Sequence, residues 1–153
     1  MSERTSVRSG ASDTREIVVH GNALGFAQEI TAGPHRLLAD EPSAVGGTDT
    51  GPNPYDLLLA SLGVCTSMTV SLYARRKHWP LEAVTVRLRH SKIHATDCEE
   101  CETKTVLLDQ IERDVELQGN LTQEQRTRLL DIANRCPVHR TLTSEIQIRT
   151  RSV

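Results

Sequence analysis

Two cysteines, Cys65 and Cys136, stand in settings that suit thiol chemistry. Cys65 lies in the apolar run 57–68, which reads as the middle of a long helix. Cys136 closes a second, amphipathic segment and opens the run Cys-Pro-Val-His-Arg-Thr-Leu. A histidine and an arginine beside a thiol lower its pKa and make the thiolate reactive. Two thiols that the fold brings together would form one redox couple.

Each cysteine also has a plainer interpretation. Free cysteine is among the most buried residue types, so Cys65 also reads as a small core residue. Cys136 is predicted to end a helix, a position that by itself disfavours a thiolate. Cys136 and His139 together are also half of a zinc site. His139 either tunes the thiol or, with Arg140, binds the last free carbonyls of the helix.

A second group of ligating side chains occupies the segment 90–101. A Cys-x-x-Cys pair with two upstream histidines supplies four ligands for tetrahedral zinc. The same pair also reads as a redox dithiol or as part of a solvated loop. Glu99 and Glu100 raise the pKa of neighbouring thiols, which weakens the redox interpretation. The four candidate ligands are His90, His94, Cys98 and Cys101.

The composition is that of a soluble globular protein. The 153 residues are 37% hydrophobic and 25% charged, with a net charge of −2. This balance, with only 3% aromatic residues, excludes a basic or base-stacking nucleic-acid surface. We expect residues 1–15 to be a disordered tail without a signal-peptide core, and residues 16–153 to form a single domain.

The apolar run 57–72 is interrupted by serines and threonines and is interpreted as too short and too polar for a membrane span. The protein is therefore expected in the cytoplasm. In that reducing compartment its four cysteines do not suggest a structural disulfide framework.

The order of predicted elements is strands, helix, strands, helix, strand, which is an α+β domain with antiparallel sheet. The first helix begins at Asn53-Pro54 and is apolar on nearly all sides, so a second subunit is expected to help bury it. The second helix begins at a capping box, Thr122 to Gln125. Strands are predicted at 16–20, 25–30, 35–40, 84–90, 104–118 and 145–149, and helices at 54–77 and from residue 122 to Cys136.

Three runs of residues together resemble the OsmC/Ohr family of thiol peroxidases. They are Gly51–Leu58, Cys65–Thr69 and Cys136–Leu142, and the similarity extends over roughly residues 25–150. The resemblance is closest to the OsmC-like branch that also occurs fused to α/β-hydrolase domains. It implies an intertwined homodimer, with antiparallel sheets wrapped around two central helices and active sites at the subunit interface.

The resemblance also implies a reaction without a cofactor. Cys65 would be the peroxidatic thiol of an organic hydroperoxide reductase, and would become a sulfenic acid. Cys136 would resolve it as a disulfide, which an external dithiol reduces. The apolar surroundings of Cys65 suit a fatty or aromatic hydroperoxide better than hydrogen peroxide.

Two positions depart from the family's pattern. Members activate the peroxidatic thiol with a glutamate after the Asn-Pro turn and an arginine from the N-terminal strands. Here Tyr55 stands at the glutamate position and Asp56 follows it. Either Asp56 substitutes, or the site works without the carboxylate, or this branch is not an efficient peroxidase. Arg36 is the candidate arginine, and its alternative is an exposed strand residue.

Two other functions stay open. Tyr55 favours a small-molecule binding or redox-sensing protein that keeps the fold and has little turnover. The histidines and cysteines of segment 90–101 would instead make a zinc-dependent protein.

Overall fold

A computed structural model describes residues 15–94 and 107–153. The expected tail, up to residue 14, and the pair Cys98 and Cys101 lie outside the described residues. The chain divides into an N-terminal unit that ends at Pro54 and a C-terminal unit that begins at Tyr55. The elements are β1 (Ile17–Gly21), β2 (Gln28–Ala32), β3 (His35–Ala39), a short 3-10 helix (Ser43–Val45), α1 (Pro54–Arg76), β4 (Leu81–His94), β5 (Leu107–Gly119), α2 (Gln123–Ala133) and α3 (Pro137–Leu142).

The N-terminal unit is a three-stranded antiparallel sheet in the order β1-β2-β3. Its register places Val19 opposite Ile30, and Ile30 opposite Leu37. The turn between β2 and β3 uses Gly33 at φ 59°, a left-handed conformation that glycine adopts without strain. The first hairpin has a longer loop than predicted, because the Asn22 side chain accepts the Leu24 N–H and forms a local turn there.

A buried carboxylate, that of Asp40, organises the loop that follows β3. It accepts hydrogen bonds from the hydroxyls of Thr48 and Thr50, at 2.5 and 2.8 Å, and from the backbone N–H groups of Thr48, Thr50 and Glu41. The Thr48 hydrogen bond lowers the pKa of Asp40 well below its ordinary value, against the opposing effect of burial. This loop therefore depends on a charged carboxylate at its centre.

The C-terminal unit packs α1 and α2 with a two-stranded antiparallel ribbon of β4 and β5. Its core consists of apolar side chains from these elements and the turn before α2. Gly63 allows close approach of α1 and β4, because a Cβ at this position would lie 2.8 Å from Leu88 Cδ1. The buried cluster is Val70, Ala74, Leu117, Leu121, Leu129 and Ala133.

Most predicted elements are confirmed, and one predicted strand is absent. The long helix begins at Pro54, and Thr122 and Gln125 form both hydrogen bonds of a capping box. The predicted strand 145–149 is wrong, because this segment has no regular secondary structure. Its alternating pattern finds no ladder partner within the described ranges, and Ile146 and Ile148 stay exposed. Alternation alone does not form a strand without a partner.

Helix α1 is long and apolar enough to cross a membrane by length and composition alone. The expectation that it is too short and too polar for a span is therefore not supported. One such helix is weak evidence for a membrane span, because the core helix of a soluble protein passes the same test.

We expect Thr122→Ala to lower the free energy of unfolding by about 1 kcal/mol, because the first turn of α2 loses its side-chain cap. Urea denaturation of both proteins measures the difference. Thr127→Ala, an exposed substitution inside the same helix, is the matched control and should be neutral or slightly stabilising. Equal losses in the two variants would contradict the capping role.

We expect Asp40→Asn to destabilise the protein at pH 7, since an amide cannot accept the same hydrogen bonds. The pKa of Asp40 is lower in the folded state, so its contribution is present above the ordinary value of 3.8 and is lost as pH falls below it. The difference between wild type and variant should therefore shrink below that pH. Denaturation midpoints across pH test this, with the exposed loop residue Asp49→Asn as the control. A difference that is constant with pH would contradict it.

Candidate active site

Cys136 begins a helix and does not end one. The prediction that it closes the second helix is wrong, because α2 ends at Ala133 and the chain turns before α3. Cys136 has an extended backbone, φ −64° and ψ 144°, and its Sγ accepts the N–H of His139 at 3.3 Å. Pro137 takes the first helical position, where no N–H is required. The thiol thus serves as the side-chain cap of α3.

The fold places Cys65 close to Cys136. Cys65 Sγ accepts the N–H of Val138 at 3.5 Å. Val138 precedes His139, whose N–H is donated to Cys136. Cys65 also helps to lower the pKa of the Cys136 thiol, so the two side chains lie close enough to interact. Both are free thiols, Cys136 fully buried and Cys65 partly buried. Both sulfurs are therefore held at the first turn of α3.

A guanidinium lies beside this pair. Arg113 projects from the inward face of β5 and donates to Thr66 Oγ1 at 3.0 Å and to Asn134 Oδ1 at 2.7 Å. A third contact, at 3.4 Å, joins it to Nδ1 of His139. Arg113 thereby links α1, the turn after α2, and α3 through neutral groups.

Thr66 connects the guanidinium to the buried sulfur. Its Oγ1 lies 2.7 Å from the Leu62 carbonyl and 3.8 Å from Cys136 Sγ. A hydroxyl carries one proton, so Thr66 donates either to Leu62 or to Cys136 at any moment. The Leu62 carbonyl is a neutral backbone acceptor within α1. A thiolate at Cys136 carries a negative charge and is therefore the stronger acceptor of the two.

The surroundings of Cys136 favour its thiolate. Burial raises the pKa of Cys136, but four effects together outweigh it and leave the pKa below the ordinary value of 9.0. They are the hydrogen bonds from the His139 N–H, from Thr66 and from Cys65, and the positive charge of Arg113. Hydrogen bonds and opposite charge stabilise the ionised form of an acid.

His139 is neutral at pH 7. Burial lowers its pKa, and the charge of Arg113 lowers it further. Because Nδ1 faces the guanidinium as an acceptor, the ring proton is assigned to Nε2. His139 therefore supplies its backbone N–H to Cys136 and a neutral ring to Arg113.

A cavity of about 440 Å³ adjoins these residues within the C-terminal unit. This is the size of a pocket for a small organic molecule. Its lining combines polar and charged side chains, among them the guanidinium and the Asp109 carboxylate, with three aliphatic ones. The lining includes Arg113, Asn134, His139, Leu62, Ile111 and Leu142.

Tyr55, the residue after the Asn-Pro turn, is half exposed and stacks on a histidine of β4. Its ring stacks on His90 with centroids 4.4 Å apart and planes 14° apart. His90 Nε2 in turn bonds Asp109 at 2.8 Å, and Lys92 bonds the same carboxylate at 2.9 Å. These hydrogen bonds, that of Lys92 first, lower the pKa of Asp109, which also lines the cavity. Asp56 lies in the exposed first turn of α1.

Arg36 belongs to the N-terminal sheet. Its guanidinium pairs with Glu29 at 2.6 Å, and its side chain is 74% exposed. Its proposed part in thiol activation stays a prediction.

The zinc hypothesis stays a prediction. Of its four residues, Cys98 and Cys101 lie outside the described ranges, His94 is exposed, and His90 is bonded to Asp109. In residues 15–94 and 107–153, no group of three or more His, Cys, Asp or Glu side chains is arranged to hold a metal ion.

Sequence reasoning missed Arg113, Thr66 and Asn134. One signal for Arg113 was present, because it has the same parity as the inward-facing Ile111, Val115 and Leu117 on β5. An arginine at an inward position of a strand needs internal partners, and it points to a site. Asn134 gave no such signal.

The family and the fold of the chain follow from comparisons with known proteins. The family model of the OsmC-like proteins matches residues 47–151. No curated protein matches the chain. An OsmC-like protein from Mycoplasma pneumoniae has a TM-score of 0.66 at 19% identity, covering 86% of this chain and 88% of its own.

Two further solved structures share the fold. The organic hydroperoxide resistance protein OsmC from Legionella pneumophila has a TM-score of 0.63 at 22% identity, covering 87% of this chain and 91% of its own. The organic hydroperoxide resistance protein OhrB of Bacillus subtilis has a TM-score of 0.59 at 18% identity, covering 85% and 90%. The α+β architecture with antiparallel sheets is that of these proteins, and the chain belongs to the OsmC-like family.

Proposed function

We propose that this protein is a thiol-dependent peroxidase that reduces organic hydroperoxides. The observation that carries the proposal is the pair of free thiols, Cys65 and Cys136, whose sulfurs accept adjacent backbone N–H groups at the start of α3. A guanidinium lies beside them, and a cavity adjoins that guanidinium. Cys65 is the attacking thiol, because it is the partly exposed member of the pair. Cys136, which is fully buried, resolves the sulfenic acid. The Legionella and Bacillus relatives are named for resistance to organic hydroperoxides, which agrees with this assignment.

The chemistry requires contact between the two sulfurs. A thiolate attacks the distal oxygen of the peroxide, and the resulting sulfenic acid condenses with a second thiol. The disulfide is then reduced by an external dithiol through thiol exchange. Because adjacent backbone N–H groups of α3 already hold the two sulfurs, no large rearrangement is required for the second step.

The cavity favours an organic hydroperoxide over hydrogen peroxide. Leu62, Ile111 and Leu142 supply aliphatic surface, which stabilises an alkyl or aryl group and gives little to a small polar molecule. We also place the protein in the cytoplasm, where a thiol couple is kept reduced between turnovers.

A second candidate function is a binding or redox-sensing protein with little turnover. The stacking of Tyr55 on His90 favours it, because the residue at the glutamate position is held in packing and supplies no carboxylate. Such a protein would form the disulfide once and return slowly to the thiol state.

We expect one equivalent of cumene hydroperoxide to convert the reduced protein to a Cys65–Cys136 disulfide, detected by peptide mass spectrometry. A Cys98→Ala, Cys101→Ala background removes the other two thiols from the count. Cys65→Ser should consume no peroxide, and Cys136→Ser should stop at a sulfenic acid that dimedone traps. If both thiols remain reduced while a control peroxidase is oxidised, the peroxidase and the sensor proposals are both refuted.

Multiple turnover with a dithiol separates the two candidates. A peroxidase consumes many equivalents of hydroperoxide when dihydrolipoamide or dithiothreitol is present. A sensor forms the disulfide but consumes about one equivalent.

We also propose that the protein is a homodimer in which a second copy covers α1. Within one chain Val64, Met68 and Leu72 are 52%, 67% and 40% exposed on this helix. Beside them Gly63 and Ser67 form an apolar groove with Val86 and Leu88 of β4. Contiguous apolar surface on a helix marks an interface. The interface position of active sites, implied by the family resemblance, belongs to this proposal.

We expect Val64→Glu with Met68→Glu to weaken the dimer at least about 100-fold, because a carboxylate buried without a partner costs several kcal/mol. Sedimentation velocity over a range of concentrations measures the change. Arg76→Glu, at the exposed end of α1, is the control. A wild-type monomer would refute the proposal, and recovery of the wild type in membranes would assign the apolar face to lipid.

A further inference from the structure

Resting on this proposed peroxidase function, we propose that Cys136 has a second role: its thiolate is the base that takes the proton from the Cys65 thiol. Arg113 and Thr66 are positioning residues that stabilise this thiolate. The sulfur of Cys136 thus takes the place of the carboxylate that Tyr55 does not supply.

The hydrogen bonds of Cys65 lead to this assignment. Within the part of the chain that the structure describes, Cys65 contacts the N–H of Val138 and the side chain of Cys136. The Val138 N–H is a donor only and cannot accept a proton. Cys136 can, so it is the one of these two groups able to activate Cys65.

The two sulfurs differ in how well they hold negative charge. Cys136 accepts from the His139 N–H at 3.3 Å, from the Cys65 thiol, and from Thr66 when that hydroxyl turns toward it. Cys65 accepts one backbone N–H, at the longer distance of 3.5 Å. The charge of Arg113 adds to the stabilisation and, against burial, the pKa of Cys136 is lowered. The larger number of hydrogen-bond donors and the nearby cation therefore favour negative charge on Cys136.

The titratable and charged groups around Cys136 come from three elements. Cys65 faces it from α1, Arg113 from β5 and His139 from α3. His139 is neutral because burial and Arg113 lower its pKa. Asp109, farther along the cavity wall, is held by Lys92 and His90. The pH dependence of the first step therefore follows the thiol pair.

The proposed steps conserve protons and electrons. The Cys65 S–H bond breaks, and its proton moves to Cys136. The Cys65 thiolate attacks the distal peroxide oxygen, so an S–O bond forms, the O–O bond breaks and an alkoxide leaves. The alkoxide takes the proton from Cys136 and departs as the alcohol.

The same proton transfer prepares the second step. The regenerated Cys136 thiolate attacks the Cys65 sulfenic sulfur, forming the S–S bond and releasing hydroxide, which takes a proton from solvent. The two thiols have lost two electrons and the peroxide has gained them. An external dithiol then reduces the disulfide.

Single-turnover stopped flow on Cys136→Ser tests the proposal. If Cys136 only resolves, this variant forms the Cys65 sulfenic acid at the wild-type rate. If Cys136 is the base, the rate constant of that step at pH 7 falls about 100-fold, within the usual range for general bases. Serine keeps the cap of α3, since its hydroxyl also accepts an N–H. A wild-type rate with a wild-type pH profile would overturn the inference.

Arg113→Met and Thr66→Val test the positioning role with both thiols present. Each should move the rising limb of the first-step pH profile to higher pH, because the Cys136 thiolate loses a stabilising group. Arg87→Met on the neighbouring strand and Thr69→Val one turn along α1 are the matched controls and should leave the profile in place.

A variant that does not fold is distinguished from one that folds with a changed pH profile. Circular dichroism identifies a variant that does not fold, and either variant alone decides the point. An unshifted profile in a folded Thr66→Val or Arg113→Met protein would remove these residues from the mechanism. Failure of the proposed function is separate, because then wild-type Cys65 would not react at any pH.

Discussion

The C-terminal unit depends on how it accommodates the guanidinium of Arg113. This side chain points inward from β5, where a charge without hydrogen-bond partners would be costly. Thr66, Asn134 and His139 accept its N–H groups, so three separate segments are fixed around one cation. All three acceptors are neutral, which leaves the positive charge to act on the nearest ionisable sulfur. The hydrogen bonds that fix the three segments and the positive charge that acts on the thiol pair therefore come from the same side chain, Arg113.

Cys136 likewise serves the fold and the chemistry. As the N-cap of α3 it satisfies an amide that has no helical partner, a task usually given to serine, threonine or aspartate. A sulfur in this position accepts the same hydrogen bond, and accepts it more strongly when it is ionised. The cap therefore strengthens as the thiol becomes a thiolate. Local structure and redox chemistry favour the same protonation state of Cys136.

The sequence predicts features that depend on residues close together in the chain. The long apolar helix, the Thr122 capping box and the β4 alternation are all local signals, and all are confirmed. Helix α3 was missed because Cys-Pro after an amphipathic segment reads as an end, whereas proline suits equally the first turn of a new helix. Arg113 was missed because its role depends on residues 47 and 21 positions away, which only the fold brings near.

The proposed proton transfer has a consequence for the oxidised protein. While Cys136 is a thiolate, its charge faces Arg113 across Thr66. A disulfide is neutral, so oxidation removes that negative charge and leaves the guanidinium among neutral acceptors. Since the lost pairing is restored only by reduction, the charge of Arg113 favours the thiol state of the couple. In the proposed mechanism, the same cation that stabilises the Cys136 thiolate thus also raises the reduction potential of the couple, which would make the disulfide a better substrate for the regenerating dithiol.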